Sequence, residues 1–248
     1  MSRKIPLIMV TKILFSLRKM VKIILILSKS IKIERSLFVK NTMKNFLKDF
    51  VLAVLAGISI ACGCTIYMLC ENKIIGAIFF TLGLFLVLTR GYNLFTGKIA
   101  YVPDNKPKYI LEMIWMWFGN LVGSAIIAVL IMFTKLNYLQ FNAQTITNGK
   151  LSQTPISAFI MAVFCGIVIY WAVENFKTNP HEIGKYLGLL FLIPFFIICG
   201  FEHCVANMMY FILAESFTFK TAIYLLIITL GNTTGSIICR LTRKYMIK

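Results

Sequence analysis

Six apolar segments follow one another along this chain, at about 50–70, 74–100, 110–134, 157–175, 184–214 and 219–239, and a helix needs about 20 apolar residues to cross a bilayer. That succession restricts the chain to an all-α integral membrane protein. Four segments have the length of one straight span. The second and fifth are longer and are interrupted, by "TRGYNLFTGK" and "GFEHCVANM". Backbone that leaves the helix at membrane depth is tolerated only where protein buries it or where it lines a water-filled cavity. The expected fold is therefore six transmembrane helices, the second and fifth broken. Composition agrees: charged residues are 14% of the chain, against about 25% in a soluble domain.

The net charge of +17 raises the question of a nucleic-acid partner. Its distribution answers it, because the lysines and arginines gather at the two termini and in short loops. That pattern suits anionic lipid headgroups and the positive-inside rule, and no nucleic acid is expected as a partner. With the N-terminus inside, the outside loops hold only Lys73, Lys135, Lys150 and Lys220. A multi-pass protein of the plasma membrane with both termini cytoplasmic is expected. Residues 1–46 read as a separate basic extension. They form either an amphipathic helix on the membrane surface or, if translation starts at Met43, no part of the protein; residues 47–248 form the membrane domain. Seven cysteines, none in a CxxC pair, read as small packing residues and predict no metal site. No cofactor is expected.

An internal repeat locates the site. "AVLAGISI" (53–60) returns as "AVFCGIVI" (162–169), and "GNLVGSAII" (119–127) returns as "GNTTGSIIC" (231–239). Gly57 and Gly91 are 34 residues apart, and so are Gly166 and Gly200. Two three-span units are implied, and an odd number of spans forces the second unit to insert upside down. In inverted repeats the site lies near the midplane, where broken helices meet. Gly91 and Gly200 mark the breaks. Asn120 and Asn232, each after a GxxxG glycine, are expected to hydrogen-bond the broken backbones.

His203 and Glu202 are ionisable residues at membrane depth, which makes them functional candidates. The imidazole is costly to charge there, but it can donate a hydrogen bond to an anion or pass it a proton. Glu202 and Asn207 are read as structural, Glu202 satisfying backbone donors that the break exposes. Thr96 supplies a hydroxyl in the first break. Leu84, Leu94, Phe80, Phe95 and Phe196 lie at or near the breaks, either as ordinary core or as constrictions that strip water from a solute. Lys150 reads as a loop lysine that is either simply solvated or draws anions to a vestibule. Arg90 is open between snorkelling and setting an anion-favouring field.

"GYNLFTGK" (91–98), "FGNLVG" (118–123) and above all "GFEHCVANM" (200–208) resemble the formate/nitrite transporter family, and the match extends from about residue 47 to 240. The resemblance implies an aquaporin-like protomer in a homopentamer, one pore per protomer, carrying small monovalent anions: formate, nitrite or hydrosulfide. It makes His203 the central pore histidine and Thr96 its partner. Leu84, Leu94 and Phe95 would form the cytoplasmic constriction, and Phe80 and Phe196 the outer one. Asn232 would be a pore-region asparagine, and Lys150 the vestibule lysine. The chain departs from the family at Asn93, commonly acidic, at Tyr170, usually asparagine, and at Arg90. "YNLFTGK" is closer to the hydrosulfide-type branch. The mechanism this implies is passage of the anion as its neutral acid, with protons supplied through His203. Two rival classes are an aquaporin-like channel for small neutral solutes and a membrane-embedded hydrolase using Glu202 and His203. The hydrolase lacks both an HExxH metal motif and a placed serine nucleophile, so no enzyme is expected.

Overall fold

A computed structural model describes residues 46–246. The readings of the basic N-terminal extension lie outside the described residues, apart from Phe46. Among the described residues the chain is entirely helical: α1 (Phe46–Leu69), α2 (Lys73–Arg90), α3 (Phe95–Lys98), a 3-10 turn (Ile99–Asp104), α4 (Lys108–Met132), α5 (Leu139–Ser152), α6 (Pro155–Thr178), α7 (Glu182–Ile198), α8 (Cys204–Leu213) and α9 (Phe219–Met246). Five of these, α1, α2, α4, α6 and α9, are long and apolar enough to cross a membrane. The fifth apolar segment is divided between α7 and α8, of 17 and 10 residues.

Both interruptions are shorter than the polar stretches suggest. Only residues 91–94 leave the helix in the first and 199–203 in the second. Each helix before the gap ends in the same way. Gly91 (φ 68°) and Gly200 (φ 70°) adopt the left-handed conformation that favours glycine. The next amide then reaches back: Tyr92 N–H to Val87 O (2.9 Å) and Phe201 N–H to Phe196 O (3.0 Å). This is the Schellman closure of a helix end. The chain runs extended through Leu94 and His203 before α3 and α8 begin.

Two helix crossings hold these pieces. In α1 and α4, a Cβ on Gly57 would stand 2.2 Å from Asn120 O, and one on Gly123 2.0 Å from Val54 O. In α6 and α9, the corresponding distances are 2.3 Å for Gly166 to Asn232 O and 2.1 Å for Gly235 to Val163 O. The helices touch backbone to backbone, which only glycine permits. Asn120 and Asn232 therefore lie at the crossings, fully buried. The segment after the third span, read from sequence as an outside loop, contains α5. It packs against α8, and its low apolar content had hidden it. At the other end of the molecule Asp104 pairs with Arg240 (2.6 Å) and Lys244 (2.9 Å), and Glu174 with Arg243 (2.7 Å). These pairs tie the end of α9 to the turn that follows α3, through Asp104, and to α6, through Glu174. Arg90 ends α2 exposed, and Tyr170 is buried in α6 beside this cluster.

Candidate functional site

The site begins at the two asparagines. Asn120 Nδ2 donates to Ala53 O (2.8 Å) and Asn93 O (2.9 Å), while its Oδ1 accepts from Phe95 N–H (2.9 Å). Asn232 Nδ2 donates to Ala162 O (2.9 Å) and Glu202 O (2.7 Å), and its Oδ1 accepts from Cys204 N–H (2.9 Å). The two sets correspond bond for bond between the two halves of the sequence. Each carboxamide supplies the partners that an interrupted helix lacks, as a buried polar backbone requires. Replacing Asn232 with Ala is expected to leave the Cys204 amide and the Glu202 carbonyl unpaired, at about 1–3 kcal/mol each, while Ala162 O keeps its partner within α6. Thermal unfolding of the purified variant should reveal a loss of about 2 kcal/mol or more. A melting temperature equal to that of the wild type would contradict this role.

The first turns of α3 and α8 meet at Thr96 and His203, where Thr96 Oγ1 lies 3.0 Å from His203 Nε2. His203 is also the N-cap of α8: its Nδ1 accepts from Ala206 N–H (3.1 Å). An amide can only donate, so Nδ1 is the unprotonated nitrogen. The neutral ring therefore carries its proton on Nε2 and gives it to Thr96 Oγ1. The threonine hydroxyl keeps its own proton for another acceptor. Protonating Nδ1 as well would set two N–H groups against each other and break the α8 cap.

Apolar side chains flank this pair on both sides. Phe80 and Phe196 pack edge to face at 5.9 Å, and Phe196 lies 5.9 Å from the His203 ring. One turn further along α2, Leu84 is 1% exposed, as is Leu94; Phe95 is 5% exposed. Phe80, Phe196 and His203 itself line a cavity of about 120 Å³ that Lys150 and Asn207 also touch. Beyond the leucines opens a larger chamber of about 410 Å³ touched by Lys98 and Lys177.

Lys150 is not a loop residue. It sits in the last turn of α5, and its ammonium pairs with the Glu202 carboxylate at 2.6 Å. Nor does Glu202 serve backbone donors: its remaining bonds come from Gln153 Nε2 (2.7 Å) and Asn207 Nδ2 (2.7 Å). With Nδ2 turned to the carboxylate, Asn207 Oδ1 is buried and has no hydrogen-bond partner among the described residues. It is an acceptor beside the 120 Å³ cavity. Gln153 escaped the reading of the sequence. The signal was present in "QTPIS", because Thr154 caps α6 and Pro155 opens it, which puts Gln153 at a fixed helix entrance instead of in a free loop. Lys98 and Asn93 also went unread as a pair; Lys98 Nζ donates to Asn93 Oδ1 at 2.6 Å.

A family model described as formate/nitrite transporter matches residues 30–246, so the likeness starts earlier than the resemblance read from the sequence, which begins near residue 47. The formate channel FocA of Escherichia coli (strain K12) is 29% identical over 199 residues, 71% of this chain and 70% of that protein. A probable formate transporter of Methanothermobacter thermautotrophicus is 31% identical over 196 residues, 67% of this chain and 72% of its own length. A solved pentameric formate channel with formate bound superposes with a TM-score of 0.69 at 26% identity, over 82% of this chain and 98% of that one.

Proposed function

The chain belongs to the formate/nitrite transporter family, and from that premise we propose that it carries small monovalent weak-acid anions (formate, nitrite or hydrosulfide) across the membrane through a path in each protomer. It is a multi-pass membrane protein whose relatives are channels and transporters. The observation that carries the reading is the Thr96–His203 contact, which opens through His203 onto one cavity and lies behind Leu84 and Leu94 from a second, each cavity touching lysine. The matched bonds of Asn120 and Asn232 support an inverted pair of three-span units, with the broken second and fifth helices meeting at this contact. The likeness to a pentameric channel supports a homopentamer. The lysine and arginine bias supports a plasma-membrane orientation with both termini cytoplasmic and contact with anionic lipid. Residues 47–248 are the channel domain, preceded by the basic extension.

In this path an anion drawn in by lysine meets Leu84 and Leu94 on one side or Phe80 and Phe196 on the other, where its charged form is unfavourable. His203 Nε2–H and the Thr96 hydroxyl offer it hydrogen bonds, and an added proton lets it cross as the neutral acid. Asn207 Oδ1 then accepts the acid's new O–H or S–H. For His203 to supply that proton it must first hold two, so each delivery requires release of the Ala206 cap. Nothing at the contact resembles a hydrolase: Glu202 is bound to Lys150, Gln153 and Asn207.

The test is stopped-flow flux into proteoliposomes of formate, nitrite, hydrosulfide, chloride and glycerol between about pH 5 and pH 8. Weak-acid anions should pass and chloride, which has no accessible neutral form, should not; their ranking names the substrate. Glycerol passing in their place would replace this reading with the neutral-solute channel. His203→Ala should alter the pH dependence or the ranking, and unchanged behaviour would remove the histidine from the proton route.

A further inference from the structure

The chamber beyond Leu84 and Leu94 differs in charge from the cavity lined by Phe80 and Phe196. On the Lys150 side the lysine is neutralised by Glu202 at 2.6 Å. On the other side neither lysine has such a partner. Lys98 Nζ donates to the amide oxygen of Asn93 (2.6 Å), and Lys177 Nζ to the hydroxyl of Tyr101 (3.0 Å), whose ring it also overlies at 4.2 Å. Both acceptors are neutral. Among the described residues, neither ammonium forms an ion pair, and no acidic residue lines the chamber. Asp49 and Glu112 attract Lys98 from further off, and Glu174 attracts Lys177, but Glu174 is already held by Arg240, Arg243 and Tyr101. Lys177 feels the charge of Lys98. Two like charges facing one chamber are unfavourable until an anion lies between them.

We propose that this chamber is a binding site for a doubly charged oxyanion of the sulfate or hydrogen-phosphate type, which occupies it without passing and so blocks the path. Each ammonium has three N–H donors and uses one here, so four remain for oxyanion oxygens. A monovalent anion leaves one charge unmatched, whereas a divalent one balances both. The volume of about 410 Å³ admits such an ion with part of its hydration, a water occupying about 30 Å³ of liquid. Leu84 and Leu94, each 1% exposed, close the way onward. A divalent oxyanion reaches a neutral form only in strong acid, so it halts where a weak-acid anion goes on.

The blocking role rests on the proposed path; binding does not. Calorimetric titration of sulfate into the purified protein at low ionic strength is expected to give saturable binding. Lys98→Gln and Lys177→Gln should each weaken it by about tenfold or more, while Lys220→Gln leaves it unchanged. Sulfate should also slow weak-acid flux in proteoliposomes, with relief in the same two variants. Lys177 is exposed, so its variant decides the matter if Lys98→Gln fails to fold. No saturable binding, or equal binding in wild type and Lys177→Gln, overturns the site. Sulfate binding in a protein that moves no weak acid would refute the transport reading and leave the site standing.

Discussion

Alanine at Gly123 is expected to leave no stably folded protein. Its Cβ would stand 2.0 Å from Val54 O and 2.8 Å from Ile58 N, both backbone atoms of α1 that no rotamer change can move. Ordinary contact needs a carbon–oxygen separation above 3 Å or so, and packed interiors yield little. The helices would have to part by about 1 Å or more. That separation would also stretch the bond from Asn120 Nδ2 to Ala53 O, now 2.8 Å. With it goes the support for Asn93 and Phe95 at the start of α3. A loss above about 5 kcal/mol is expected, comparable with the whole stability of many proteins. Gly235→Ala should behave the same way, since its Cβ would meet Val163 O at 2.1 Å. Gly149→Ala is the control, because nothing lies within 4 Å of that position. Size-exclusion profiles and melting in detergent would measure all three. A Gly123→Ala variant that melts with the wild type would mean that the α1–α4 crossing is not as close as described.

The same glycines explain what the sequence made legible. A GxxxG pair leaves a visible mark because helix approach admits no other side chain, and Gly91 and Gly200 do so because a left-handed helix end disfavours a Cβ. Repeating the marks at an offset of about 110 residues exposed both crossings and both interruptions. Residues whose roles come from tertiary partners left no such mark. Lys150 looks like any loop lysine until α5 brings it to Glu202. Gln153 is an ordinary polar residue until α6 begins at Pro155. Asn93 and Lys98 are five apart in a stretch too short for helical periodicity, and their pairing depends on the extended backbone through Leu94. His203 stood out by type alone; its tautomer could not be read until Ala206 N–H was seen to face Nδ1.

Lys150→Met should cost the protein about 3–5 kcal/mol, the usual penalty for leaving one member of a buried ion pair without the other. Glu202 is 3% exposed, and the two neutral amides that remain, Gln153 and Asn207, supply one hydrogen bond each but no charge. Glu202→Gln should cost less. Its lysine partner has 17% of its side chain exposed and can turn towards the cavity and water. The double variant Lys150→Met/Glu202→Gln should therefore be more stable than Lys150→Met alone, although it carries one more substitution. A double-mutant cycle by thermal unfolding separates these terms; additive losses would mean that the 2.6 Å pair contributes no coupling. Transport should follow charge rather than stability. Lys150→Met leaves an unbalanced carboxylate near His203 and should slow anion entry, while the double variant removes both charges and should recover part of the flux if the protein folds. If the double variant is as stable as expected yet still slow, the ammonium itself, and not merely neutrality on that side, is what admits the anion.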